Sequence, residues 1–233
     1  MAPRIEKVFR APYAAPNGLQ VMDEGLWLVD QFTDCVALVE PSGPHEYGAT
    51  RILRHMPTES STTSGITYGG GALWLAANGP GERWRTPRPT DATTGEVVKA
   101  DPNTGETLAR YPLPGGGGTH GIEYDRLEEG TLWLTTIHSN TISQVRADDW
   151  SVVRTIPVTL GGGTHGIVRV ADGMWVAHRT TRRILKLDVE TGRDLDVIQI
   201  PDSEPEPHGL SIFGDDLLYC DATTGWVVKI TLS

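Results

Sequence analysis

"HGIEYDRLEEGTLWLTT", from His120 to Thr136, and "HGIVRVADGMWVAH", from His165 to His178, are two versions of one phrase. Each has a polar residue and a glycine, a short apolar strand, a turn, and a second strand carrying tryptophan. The phrase recurs as Asn17-Gly18 before "GLWLVD" (25–30), Ser64-Gly65 before "ALWLAAN" (72–78) and His208-Gly209 before "DLLYCD" (216–221). These five copies cover the chain, and the first four each continue into two more strand-like segments, such as "EVVKADP" and "TLARYPL" around the turn "NTG". Four short strands per repeat describe the blade of a β-propeller.

The fifth copy stops after its third strand, "WVVKITL" (226–232), while "RIEKVFRAP" (4–12) reads like "TLARYPLP" (107–114) and precedes the first blade without belonging to it. Pairing the two segments closes the ring and covers a sheet edge that would otherwise stay open. The expectation is an all-β, five-bladed β-propeller with four antiparallel strands per blade, closed by the N-terminal strand. It forms one domain, 1–233, with blades near 16–56, 63–114, 119–158, 164–201 and 207–233 plus 4–12. A sandwich of similar strands does not explain why the last repeat lacks the one strand the N-terminus has spare.

Composition agrees with many turns and few long helices: 27 glycines and 16 prolines, with 38% hydrophobic and 21% charged residues. A net charge of −10 argues against nucleic acid or an anionic membrane surface as partner. No apolar stretch approaches the roughly 18–20 residues of a membrane span, and "MAPRIEKVFRAPY" lacks the apolar core of a signal peptide. The expected location is cytoplasmic, where Cys35 and Cys220 would stay reduced.

In a blade the first strand lines the axis and the second runs back antiparallel, so first-strand starts and second-strand ends share one face. That gathers Asn17, Ser64, His120, His165 and His208 with Asp30, Asn78, His138, His178 and Asp221, five of the seven histidines among them. The glycines before the histidines permit sharp backbone turns. Three inward imidazoles, His120, His165 and His208, suit a divalent metal ion (Zn, Mn, Ni, Fe or Mg) with positions left open. His178 is the expected base, with His138 or Asp221 as alternatives, and Asp30 or Asp221 can orient an imidazole. The plainer reading is a polar channel lining that hydrogen-bonds to water. Trp27, Trp74, Trp133 and Trp175, repeated at one position, are expected to pack between blades.

Blade two carries the insertion "GPGERWRTPRPTDATTG" (79–95), which topology places over the histidine face. Its Arg83, Arg85 and Arg88, with Arg179 from blade four, suit a small anionic substrate. Phe32 and Trp84 can form an apolar wall beside Asn78. The same arginines can instead pair with Glu82 or Asp91 on the surface. "GGGTHG" (116–121) satisfies a dinucleotide-binding spacing, but no helix pattern follows it, and the chain has no G-x-S-x-G, G-K-[ST] or H-E-x-x-H.

The repeated "HGI…LW" phrase resembles the blade phrase of the streptogramin lyases (virginiamycin B lyase) and, more distantly, of the SMP-30/gluconolactonase propellers. The resemblance implies a propeller and metal-assisted elimination or lactone hydrolysis on one face. Those families have seven and six blades where this chain has room for five, and the lactonases use carboxylates and asparagine where this chain offers histidines. The expected function is therefore a metal-dependent lyase or hydrolase acting on a small anionic or lactone-like molecule. The alternatives are a non-enzymatic ligand- or protein-binding propeller and a metal-independent acid/base enzyme using the same histidines.

Overall fold

The computed structural model describes residues 3–232, beginning with β1 (Arg4–Arg10). Blade one holds β2 (Pro16–Met22), β3 (Gly25–Asp30), β4 (Cys35–Val39) and β5 (Ile52–Pro57). Blade two holds β6 (Thr63–Gly69), β7 (Ala72–Ala77), β8 (Glu96–Ala100) and β9 (Thr107–Pro112). Blade three holds β10 (Ile122–Tyr124), β11 (Thr131–Thr136), β12 (Thr141–Arg146) and β13 (Val152–Pro157), and blade four β14 (Thr164–Val170), β15 (Gly173–His178), β16 (Arg183–Leu187) and β17 (Asp194–Gln199). Blade five holds β18 (Leu210–Phe213), β19 (Asp216–Cys220) and β20 (Trp226–Thr231), and β1 completes it by pairing antiparallel with β20 from Arg4↔Thr231 to Arg10↔Trp226. The five-bladed ring and its N-terminal closure are as the repeat implied. Helix is confined to one 3-10 turn at Glu46–Gly48 among the described residues, and none is long and apolar enough to cross a membrane.

Local chemistry fixes the hairpins. Gly70 and Gly71, at φ 57° and 74°, form the two-residue turn between β6 and β7, a conformation that matches the right-handed twist of the flanking strands. The repeated tryptophans are at most 5% exposed, and each reaches into the next blade: Trp27 packs with Ile66 and Leu73, and Trp133 with Ile167 and Val176. Leu218 takes the position in blade five and packs against Phe9 and Leu19, joining the last blade to the first. Cys35 and Cys220 are both free thiols, and burial pushes the Cys220 thiol up to about 12.

At the axis the glycine after each rim residue has a reason unrelated to φ. A Cβ on Gly18 would lie 2.7 Å from Gly65 Cα, one on Gly65 2.9 Å from the His120 carbonyl oxygen, and one on Gly121 2.2 Å from the His165 oxygen. Likewise Gly166 meets Leu210 N at 2.3 Å, and Gly209 meets Gly18 Cα at 2.8 Å. Five innermost strands thus touch backbone to backbone around a full circle, and a void of about 10 Å³ is what remains of a channel.

Candidate functional site

Backbone irregularity aims the rim residues. In β2 the register passes from Pro16↔Asp30 to Gly18↔Val29, and in β6 from Thr63↔Ala77 to Gly65↔Ala76, leaving Asn17 and Ser64 as extra residues. β14 slips between Thr164↔His178 and Ile167↔Val176, so His165 and Gly166 share the space of one partner. Such bulges redirect a side chain from a sheet face, here toward the axis. Positive φ at Gly115, Gly116, Gly117, Gly161 and Gly163 turns the preceding loops inward.

The result is a cup of about 420 Å³ on the histidine face, floored by the glycine ring. His120, His165, His208, Asn17, Asn78, Phe32, Trp84, Arg83 and Arg179 line it, joined by Gln31, Thr62 and Thr223. The imidazoles form a contiguous stack, with ring centroids 4.1 Å apart for His120 and His165 and 4.8 Å for His165 and His208, both edge-on. His120 Nδ1 and His165 Nδ1 are 3.0 Å apart and share one hydrogen bond. One ring must therefore donate from Nδ1 and the other accept there, which leaves the pair with one Nε2–H donor and one Nε2 acceptor. Phe32 stacks on Trp84 at 4.5 Å, and the Arg83 guanidinium lies 4.4 Å from the Trp84 ring. Asn17, 2% exposed, has an Oδ1 with no hydrogen-bond partner, an acceptor left for an occupant.

Burial keeps the stack neutral. Desolvation, helped by His208 and Arg179, lowers His120 to about 3, and desolvation with its histidine neighbours holds His165 well below the usual range. His208 is also lowered by burial, but the Glu206 carbonyl and the Glu206 and Asp221 carboxylates oppose it. Its Nε2 is 3.5 Å from Glu206 Oε1, its Nδ1 is 3.2 Å from the Glu206 carbonyl and 3.9 Å from Asp221 Oδ1, and Glu206 also pairs with Arg179. Glu206 escaped the sequence reading because it lies on no repeat position, although it stands two residues before His208.

A consequence for stability follows. A histidine whose folded pKa is depressed contributes stability that is present above the unfolded value and lost as pH falls toward the folded one. For His120 that window runs from 6.5 down to about 3. Urea unfolding at pH 6.5, 6.0, 5.5 and 5.0 should show His120→Gln flattening the loss of stability by about 1 kcal/mol per pH unit over this range, steepening toward about 1.4 at the acid end. Parallel slopes for the two proteins would mean that the ring is solvated.

Other expected site residues lie outside the cup. Asp30 ties down the β3–β4 turn, accepting from Ala15 N, Thr33 N and Thr33 Oγ1. His178, 1% exposed, is fixed by Thr181 Oγ1 at 2.9 Å and the Gly161 carbonyl at 3.4 Å, and His138 is exposed beside Gly117. Asp221 holds its own turn through Thr223 N and Thr224 Oγ1, behind His208. Arg85 turns from the cup to Asp34, with Nη2 2.6 Å from Oδ2, and to Asp91, also at 2.6 Å. Arg88 joins the same two carboxylates, and the guanidinium hydrogen bonds hold Asp91 far below the usual carboxylate range. Loop 79–95 is therefore clamped at Arg85 and Arg88 while it presents Arg83 and Trp84 to the cup. Among the described residues no group of three or more His, Cys, Asp or Glu side chains is arranged to hold a metal ion. His120 and His165 face each other, but His208 is turned toward Glu206, so the expected ligands do not converge as they stand.

The sequence matches no family model and no curated protein. Among solved structures the chain is similar to the glutaminyl cyclase of Myxococcus xanthus, with a TM-score of 0.71 and 11% identity over 100% of this chain and 97% of that one. It is similar to a catalytically inactive histidine-to-alanine form of virginiamycin B lyase from Staphylococcus aureus with quinupristin, with a TM-score of 0.56 and 18% identity over 96% of this chain and 68% of that one. A luciferin-regenerating enzyme aligns with a TM-score of 0.59 and 12% identity over 99% and 96% of the two chains. At such identities the likeness shows the fold, a β-propeller shared with several enzymes.

Proposed function

We propose that the chain is an enzyme, a lyase or lactone-type hydrolase, that moves a proton on a small anionic substrate held in the cup. One observation carries this reading: three contiguous imidazoles, His165 and His208 buried and His120 half-buried, of which only His208 is backed by carboxylates. Environments that push neighbouring titratable groups apart assign their roles. His208, supported by Glu206 and Asp221, takes the proton from carbon or from water. The Nε2–H presented by the His120–His165 pair donates to the oxygen on which charge develops. Arg179 and Arg83 hold the anionic group, and the Phe32–Trp84 stack covers the apolar part. Elimination and lactone opening both fit these roles, because neither needs a serine or cysteine nucleophile.

A divalent cation is a second reading, favoured by the neutral state of all three imidazoles, which is the state that binds metal. Held by His120 and His165, and by His208 only once that ring turns from Glu206, it would supply positive charge to a carbonyl or enolate oxygen.

The test is a screen of small lactones and of acids with a leaving group β to the carboxylate, alongside elemental analysis. Turnover that survives a chelator and falls about 10²–10⁴-fold in His208→Ala supports acid/base catalysis. Turnover that tracks about one metal per chain and is lost with His120→Ala supports the second reading. Retained turnover in His120→Ala, His165→Ala and His208→Ala alike would overturn both.

A further inference from the structure

Beneath the glycine ring, on the face away from the histidines, a second circle joins the blades. Ser211 of blade five accepts from Val21 N–H of blade one at 2.9 Å, and Gln20 of blade one accepts from Tyr68 N–H of blade two. Thr67 of blade two accepts from Tyr124 N–H of blade three at 2.8 Å, and Glu123 of blade three and Arg169 of blade four occupy the same two positions. Each acceptor sits three residues after its rim residue, and each donor is the next residue along in the following blade. In blade four that position is Val168, which has no acceptor to offer. Ile212 pairs with Leu217 in the register that Val21 has with Leu26, so its N–H faces the same inner edge with no side chain to cap it.

A cavity of about 430 Å³ opens where the circle breaks, lined by Val168, Ser211 and Ile212. Trp175 and Leu232 add apolar wall, and Glu123 and Arg126 add polar groups. An inner-edge N–H beside apolar walls needs an acceptor from outside the chain. Asp215, on the β18–β19 turn, is an exposed carboxylate of the lining with no ion pair among the described residues, and Arg126 is the unpaired cation that an anionic occupant would answer. Lys186 is paired with Asp172 at 2.6 Å, whereas Arg126 is exposed and has no carboxylate partner among the described residues; it donates only to the Val21 carbonyl and Met22 Sδ. Glu123 is 4% exposed, and burial raises its carboxyl to about 8, so at neutral pH it too is a donor rather than a competing anion.

We propose that this opposite-face cavity is a second ligand site, for a small monocarboxylate with a compact apolar body, whose carboxylate caps the Ile212 N–H within reach of Arg126. The site is independent of the histidine cup and does not rest on the reading given for it.

Benzoate and hexanoate are the probes, with benzamide and hexanol as uncharged controls, followed by titration calorimetry and by the NMR shift of the Ile212 amide. Val168→Thr is nearly isosteric and supplies the missing hydroxyl, as Thr67 does in blade two, so the chain would cap its own N–H. Saturable carboxylate binding should weaken about tenfold in Val168→Thr and in Arg126→Ala, and stay unchanged in His120→Ala. Two results would overturn the proposal: no saturable shift of Ile212 with either carboxylate, or binding that Val168→Thr leaves intact.

Discussion

Gly121→Ala should cost more than about 4 kcal/mol of stability, enough to leave a chain of this size largely unfolded. The added methyl would lie 2.2 Å from the His165 carbonyl oxygen and 3.0 Å from Thr135 Cγ2. The backbone at Gly121 has no positive φ, so alanine meets no conformational penalty and the whole cost is space. Relief requires the innermost strands of blades three and four to separate, and the circle of contacts makes every other blade resist. Gly116 is the control: its φ is +70° and nothing lies within 4 Å of the added atom, so Gly116→Ala should lose only about 1 kcal/mol. Urea unfolding of the pair decides the matter. A Gly121→Ala protein within about 1 kcal/mol of the parent would mean that the ring yields.

Asp34→Asn should lose about 3–5 kcal/mol and release loop 79–95. Asp34 is fully buried at φ 57°, a conformation that Asn shares, so the change isolates the charge. Its carboxylate accepts from Thr63 N at 2.9 Å and Thr63 Oγ1 at 2.8 Å, and pairs with Arg85 and Arg88. With the charge removed, two half-buried guanidinium groups keep Asp91 as their one carboxylate, beside the Thr86 carbonyl for Arg85 and the Thr58 and Ser60 carbonyls for Arg88. Limited proteolysis should then cut between Gly79 and Gly95, while Arg83→Ala, which removes no ion pair, should leave the loop resistant. Cleavage of both variants at the parent's rate would show that the clamp is dispensable.

The repeat made the architecture legible because blade building uses one phrase at every turn: rim residue, glycine, apolar strand, tryptophan. The same phrase located His120, His165 and His208, whose rim positions follow from strand direction alone. It could not separate His178 from them. His178 ends β15 as Asn78 follows β7, but its ring is taken by Thr181 and the Gly161 carbonyl, a matter of loop packing that no period records. The arginines failed for a related reason. Arg83 and Arg85 are two residues apart in one loop, and only the approach of Asp34, 51 positions earlier than Arg85, decides which of them is a clamp. The glycines were legible as turns and not as spacers, since backbone crowding at the axis depends on how many blades share it.

The closed floor has a kinetic meaning. With no second exit, whatever enters the cup must return through the mouth that Arg83, Trp84 and Arg179 surround, so for the proposed enzyme a departing product and an arriving substrate would exclude one another there. Competitive inhibition by product would then be a property of the architecture rather than of any one contact. The same seal isolates the cup from the cavity beneath, so either can change its chemistry without sharing a solvent path with the other.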